Sequence, residues 1–155
     1  MKKIVLAAAV AALLPTSAFA ATDQGEATAL VVSPITITHQ VGAALDFGAF
    51  DASAGQVSVT PGGVGSTSGV VQLGTVAADA FDVSGDLNRS FSIATSSGTI
   101  GNGSDTMTFT TTAAAGGLLD GTGNASFTVG GTLTVDGTES SGTYTGSYDA
   151  TVEYN

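Results

Sequence analysis

The last twelve residues of the chain alternate strictly between two kinds of side chain. Polar residues occupy the odd positions from 145 to 153. The even positions carry apolar residues or glycine, namely Tyr144, Gly146, Tyr148, Ala150, Val152 and Tyr154. Because successive side chains of a β-strand point to opposite faces, this pattern predicts a strand with one face in a core and the other in water. Strands near a terminus usually fray, so this regularity indicates a strand that takes part in assembly.

Shorter runs of strand-like sequence precede it, and no helical period of convincing length follows residue 20. Glycine, asparagine, aspartate and proline, which favour turns, separate these runs. One of the predicted turns is at Gly130-Gly131. The predicted strands are 28–38, 44–47, 56–60, 70–73, 80–83, 89–95, 106–111, 124–129, 132–135 and 144–154. Many short strands at this spacing predict an all-β fold, specifically an immunoglobulin-like β-sandwich.

The first twenty residues have the features of a secretory signal peptide. Met1-Lys2-Lys3 is a short basic start, residues 4–14 are apolar, and Ala18-Phe19-Ala20 is a small-residue cleavage site. This segment is too short to span a membrane. We therefore expect residues 1–20 to be removed and the protein to be exported by a bacterium to the periplasm, the cell surface or the medium.

Removal of that segment changes the charge of the chain. Arg89 is then the only basic side chain beside thirteen acidic ones, which gives a net charge of −12. Nucleic acids and anionic membranes require basic patches, so neither is an expected partner. The chain has no cysteine, so its stability must come from packing and backbone pairing. The strands are mostly shorter than the roughly 9–11 residues that a membrane barrel needs, so membrane insertion is not expected either.

Few residues suggest catalysis. His39 is the only histidine, and without cysteine it has no partners for a zinc cluster. We interpret it as a turn residue after a strand. Asp46 and Asp51 flank Phe47-Gly48 and could form a carboxylate pair, but surface acids are the favoured interpretation. No catalytic residue is predicted, and the chain is not expected to be an enzyme.

Two loops have a composition that resembles calcium loops. They are residues 101–105 and 120–124, which are rich in Gly, Asn and Asp. Neither has the spacing of an EF-hand loop or of a repeated nonapeptide. The same residue types are what tight turns require, so we interpret both loops as turns. No metal and no cofactor are predicted.

The order of several short segments resembles a known family. These segments are 34–37, 45–48, 81–85, 91–93, 107–109, 123–135 and 142–154. They resemble domain of unknown function family 4402, which is similar to the spore coat U domain and to the archaic chaperone–usher pilins. The chain departs from many such relatives because it lacks the cysteine pair that staples the first strand.

The resemblance implies a structural subunit of a pilus or fibre. In such subunits the sandwich lacks one strand, and the N-terminal extension of the next copy fills the groove. Here residues 21–32 would be the extension and residues 33–155 the pilin-like domain. The resemblance implies other copies of the chain as partners, and a periplasmic chaperone and an outer-membrane usher by analogy.

The donor and groove residues follow from strand alternation within these segments. Ala27, Ala29 and Val31 lie on one face of the extension, and Leu30 and Val32 on the other face, which carries more volume and is expected to fill the groove. The expected residues of the groove and C-terminal strand are Tyr144, Tyr148, Ala150, Val152 and Tyr154.

Two alternatives stay open at this point. Residues 28–38 could be the first strand of the domain itself, most readily at 33–38. The protein could also be a secreted carbohydrate- or surface-binding module that stays monomeric, although sugar sites usually need exposed aromatic rings. Only three tyrosines are available for that purpose beside phenylalanines that are expected to be buried.

Overall fold

The computed structural model describes residues 19–155. Residues 32–155 form one compact unit. Residues 19–31 fall outside it and contain neither helix nor strand. The predicted signal peptide lies outside the described residues except for Phe19 and Ala20. Within 19–155 no helix is long and apolar enough to cross a membrane.

The described part of the chain is all-β, which confirms the predicted fold class. Within residues 19–155 eleven strands follow one another without a helix. They are β1 Thr36–His39, β2 Gly55–Val59, β3 Gly65–Ser68, β4 Asp79–Ser84, β5 Ser90–Thr95, β6 Gly98–Gly101, β7 Thr106–Ala113, β8 Gly116–Leu118, β9 Asn124–Val135, β10 Thr145–Ser147 and β11 Ala150–Tyr154.

The larger antiparallel sheet is built around β9. Its strand order is β1-β4-β9-β7-β6-β10, and the hairpin of β2 and β3 joins it through β2. On one edge of β9, β4 pairs with residues 124–129 and β2 with residues 131–135. On the other edge β7 pairs with residues 129–133. One strand of twelve residues therefore carries three neighbours.

The second layer is a three-stranded sheet in the order β11-β5-β8. It packs on the larger sheet through one apolar cluster, which includes Phe91, Leu119, Phe127 and Val152. A second cluster includes Leu133 and apolar side chains of the irregular segments 44–50 and 70–78. The result is a β-sandwich-like fold of curled antiparallel sheets, in which part of the second layer is irregular backbone.

The prediction of a turn at Gly130-Gly131 is wrong, because β9 runs through both residues without a break. A side chain at 130 would collide with the carbonyl oxygen of Val59, and one at 131 would lie 2.6 Å from the carbonyl oxygen of Thr110. Glycine is present here because neighbouring strands approach closely, which is its other common role within a strand.

The prediction of one continuous strand over 144–154 needs a similar correction. The segment forms β10 and β11, which pair with β6 and β5 in different sheets. The break is small, because the amide of Ser96 donates to the carbonyl oxygen of Asp149 across it at 2.9 Å. Side chains at the odd positions 145–153 are exposed, and those at the even positions other than Gly146 are at least partly buried. We call residues 145–154 the terminal strand.

Other strand predictions fail in two ways: some segments with apolar alternation form no regular strand, and some strands have no apolar alternation. Of the predicted strand 28–38 only residues 36–38 are strand, as part of β1. The segments 44–47 and 70–73 hold isolated bridges at Asp46 and Gln72. The alternation had no signal for β3, β6 and β8, because these strands are short and rich in glycine, serine and threonine.

Candidate functional site

The terminal strand is hydrogen-bonded along one edge only. β11 pairs with β5 from Ala150 to Tyr154, and β10 pairs with β6. Among the strands of residues 19–155, neither β10 nor β11 has a partner on the opposite edge. Unpaired backbone N–H and C=O groups on such an edge are able to accept a further strand.

A second segment, residues 44–52, lies opposite the beginning of the terminal strand. It is held from its other side, where Asp46 and Ala77 exchange two backbone hydrogen bonds of 2.9 Å. The amide of Leu73 donates to the carbonyl oxygen of Ala49 at 2.7 Å. Phe47 anchors the segment in the core and is 6% exposed. The segment is therefore fixed although it forms no regular strand.

Between these two segments lies an open groove of about 930 Å³, which we call the edge groove. Its walls are residues 44–52 and residues 139–146. Ile100, Met107 and Val135 contribute apolar side chains to its lining. Asp46, Asp51 and Glu139 border the same groove, so its lining is mixed and suits an extended occupant that is apolar on one face and polar on the other.

The wall at 139–146 is held in place by a polar network around Asp105. One carboxylate oxygen of Asp105 accepts hydrogen bonds from both the amide and the hydroxyl of Ser140. The hydroxyl of Tyr144 donates to the carbonyl oxygen of Ser140 at 2.8 Å. The bonds from Ser140 favour the ionised form and lower the pKa of Asp105 below its ordinary value of 3.8.

Tyr148 sits at the bend of the terminal strand and carries a buried polar contact. Its hydroxyl donates to Oδ2 of Asp79 at 2.7 Å, and Nε2 of His39 lies 2.6 Å from Oδ1 of the same carboxylate. Asp79 is only 4% exposed. Burial, followed by the hydrogen bond and charge of Asp79, raises the pKa of Tyr148 well above its ordinary value of 10.0, so the phenol stays protonated.

His39 is therefore not the turn residue that the sequence had suggested. It is the last residue of β1 and joins that strand to Asp79 at the start of β4. Its ring also meets the edge of Phe81, with 5.1 Å between the ring centroids. Because His39 and Asp79 are forty positions apart in the chain, nothing in their spacing signalled the contact.

Tyr154 closes the far end of the terminal strand. Its hydroxyl accepts a hydrogen bond from the amide of Asp86 at 2.6 Å and donates to the carbonyl oxygen of Ser33 at 2.9 Å. The guanidinium of Arg89 lies 5.9 Å from the centre of its ring. One side chain thus joins the terminal strand to the β4–β5 turn and to the first residues of the folded unit.

The remaining residues expected at the C-terminal strand occupy distinct positions. Val152 is buried in the core cluster, and Ala150 packs partly against it. Tyr144 lines the edge groove. The terminal strand thus combines a core-facing row of side chains with an unpaired backbone edge.

The expected donor residues lie in or next to the irregular extension. Leu30 is 80% exposed and Val31 is 92% exposed. Ala27 and Ala29 are exposed as well, and Val32, at the start of the folded unit, is partly buried. Two large apolar side chains in the extension therefore remain in water.

The other acidic residues singled out by the sequence accept hydrogen bonds in loops and turns. Asp46 accepts the amide of Gly48, whereas Asp51 accepts the amide of Val71 and the hydroxyl of Ser53. Asp120 accepts the amides of Thr122 and Asn124. Within residues 19–155 no group of three or more His, Asp or Glu side chains is placed to hold a metal ion.

The fold and the groove together define a class: an antiparallel β-sandwich whose terminal strand leaves one backbone edge unpaired and begins at a cleft with a mixed polar and apolar lining. The chain matches the model of the family described as Domain of unknown function (DUF4402) over residues 12–154, and it belongs to that family. Comparisons with curated proteins and with solved structures gave no match.

Proposed function

We propose that this protein is a structural subunit of an extracellular pilus or fibre, joined by donor-strand exchange. In this arrangement residues 21–32 of one copy add as a strand to the free edge of the terminal strand in the next copy. The observation that carries the proposal is the unpaired edge of β10 and β11, which begins at the edge groove, where Thr145 and Gly146 are part of the lining. Exchange between identical copies in one direction produces an open polymer.

The extension has the length and composition that this role requires. When both segments are extended, the twelve residues of the extension are long enough to pair with all ten residues of the terminal strand. In that conformation Leu30 and Val32 share one face and would enter the groove. Burial of each such side chain contributes roughly 1.5–3 kcal/mol, to which backbone pairing adds.

The proposed export through the periplasm implies two further partners, a chaperone and an usher. A partly apolar groove and an unpaired edge promote aggregation, so a periplasmic chaperone would cover them before assembly. An outer-membrane usher follows from the resemblance to chaperone–usher pilins. The assembled fibre would lie outside a Gram-negative cell.

The test removes the donor and then restores it. Deletion of residues 21–31 should give a folded subunit that forms no filaments in electron microscopy, and a peptide of residues 21–32 should bind it. Leu30→Asp should also abolish filaments. Val31→Asp is the matched control, because Val31 lies on the opposite face of the donor and would stay in water. Filaments of normal length from the deletion variant would rule the proposal out.

The same experiment addresses a monomeric carbohydrate-binding module. All the Phe and Tyr side chains of residues 32–155 are at least partly buried, whereas sugar sites usually use exposed aromatic rings. Stable monomers of the full chain that bind glycans and never polymerise would nevertheless favour that alternative.

A further inference from the structure

Three tripeptides in the chain have the sequence Asn-x-Ser, in which the middle residue is not proline. They begin at Asn88, Asn102 and Asn124. This tripeptide is the acceptor for N-linked oligosaccharides in exported proteins, where the asparagine must lie on an accessible surface. The structure distinguishes the three asparagines by their hydrogen bonding, because the carboxamide nitrogen has to be free to react.

The side chains of two of these asparagines are engaged in hydrogen bonds. Oδ1 of Asn102 accepts the amides of Ser104 and Asp105 at 2.9 and 2.8 Å, and its Nδ2 donates to Ser140. Nδ2 of Asn124 donates to the hydroxyl of Thr122 at 3.1 Å. Asn124 is also the first residue of β9 and pairs with Ser84. Reaction at either nitrogen would disrupt a loop or the start of a strand.

Asn88 differs in every one of these respects. It lies in the turn between β4 and β5 and is exposed. Its backbone amide donates to Asp120 at 3.1 Å, but its carboxamide makes no hydrogen bond to any of residues 19–155. With φ of 55° it is the one described residue other than glycine in the left-handed region, which asparagine tolerates at tight turns.

The residues around Asn88 complete the acceptor. Ser90, at the required position, is exposed at the beginning of β5, and its hydroxyl makes no hydrogen bond within the described part of the chain. Asp86 holds Arg89 through a bond of 2.7 Å from Nε to Oδ2. This ion pair fixes the turn, so the folded protein presents Asn88 together with Ser90.

We propose that Asn88 is the attachment site of an N-linked oligosaccharide. The co-reactants are an oligosaccharide carried on a lipid pyrophosphate and a membrane-bound oligosaccharyltransferase. Nδ2 of Asn88 attacks the anomeric carbon, and the new C–N bond forms as the C–O bond to the pyrophosphate breaks. The lipid pyrophosphate leaves with the bonding electron pair, and the amide nitrogen gives up one proton. The proposal rests on the export that the proposed function includes.

The test is peptide mapping by mass spectrometry of the protein recovered from outside its native cells. The peptide containing Asn88 should carry an oligosaccharide mass, and the peptides containing Asn102 and Asn124 should not. Asn88→Gln and Ser90→Ala should each abolish the added mass. Ser90→Thr should retain it, because threonine supplies the same hydroxyl. Asn102→Gln is the matched control and should leave the modification at Asn88 unchanged.

The outcomes separate this proposal from the proposed function. An exported chain that starts at Ala21, forms filaments and is unmodified at Asn88 overturns the glycan site alone. A chain that carries the glycan at Asn88 but stays monomeric supports the site and contradicts the fibre. A chain that keeps residues 1–20 and remains inside the cell overturns both, since the transfer requires export.

Discussion

Tyr148 is the one described side chain that packs against both hydrophobic clusters of the sandwich. Its ring meets Phe81 and Phe109 edge-on, with centroid distances of 6.3 and 6.1 Å. Its hydroxyl satisfies the buried carboxylate of Asp79, which His39 contacts from the other side. The apolar alternation placed Tyr148 on the inner face, but no local pattern could indicate a polar partner sixty-nine positions away.

Replacement of Tyr148 by phenylalanine should keep the packing and remove one hydrogen bond to a buried charge. Loss of such a bond costs about 1.5–3 kcal/mol, because the carboxylate keeps its desolvation penalty. The free energy of unfolding from urea denaturation measures the effect. Tyr144→Phe serves as the comparison, since that phenol bonds to a more exposed partner and should cost less. Equal losses in the two variants would contradict this account.

Asp105 gives the fold a defined response to acid. The hydrogen bonds from Ser140 lower its pKa below 3.8 in the folded state. A depressed folded-state pKa contributes stability that is present above the unfolded value and is lost as the pH falls through the folded value. Wild-type protein should therefore lose stability as the pH drops below 3.8. Ser140→Ala removes the hydroxyl donor, and its stability should change less over the same interval when denaturation is measured at each pH.

At the level of the elements, alternation predicted the strands whose two faces differ most. β2, β4, β5, β7 and the terminal strand each place apolar residues toward a core, and their positions follow the sequence closely. Alternation failed for β3, β6 and β8, which have little apolar surface to reveal them. The sequence pattern also predicted two strands where the structure has only β9. Gly130 and Gly131 were interpreted as a turn signal, whereas they allow a neighbouring backbone to approach closely.

Gly130→Ala tests that role of glycine within β9. The added methyl group would overlap the carbonyl oxygen of Val59, and overpacking of this kind costs roughly 1–3 kcal/mol. Gly121→Ala is the matched control, because it has no atom within 4 Å of the new methyl group and no left-handed φ. Its effect should stay within about 0.5 kcal/mol. Thermal unfolding of the two variants would distinguish a crowded strand from a tolerant one.

For the whole molecule, the sequence predicted the sandwich and pointed to its last strand, but it could not define the edge groove. The groove depends on segment 44–52, which has only isolated bridges, and on the wall that Asp105 holds at Ser140. Both depend on contacts between distant parts of the chain. The proposed donor, by contrast, is a local feature, because the apolar run of the extension can be recognised from neighbouring residues alone.

Occupation of the groove should stabilise the whole subunit. A peptide of residues 21–32 that binds the folded state of the chain lacking residues 21–31 adds about 2.7 kcal/mol when present at 100 times its dissociation constant. The melting temperature should rise with peptide concentration. A peptide with Leu30→Asp should have little effect, and an equal rise with both peptides would show that the binding is not specific.

The position of the terminal strand also determines when the molecule can fold. Residues 145–154 complete both hydrophobic clusters through Tyr148 and Val152, and they pair with strands some fifty positions earlier in the chain. Pairings between such distant residues form slowly, because the intervening chain must first be closed into a loop. A polypeptide made from its N-terminus therefore cannot complete either cluster until residues 145–154 are available to pair.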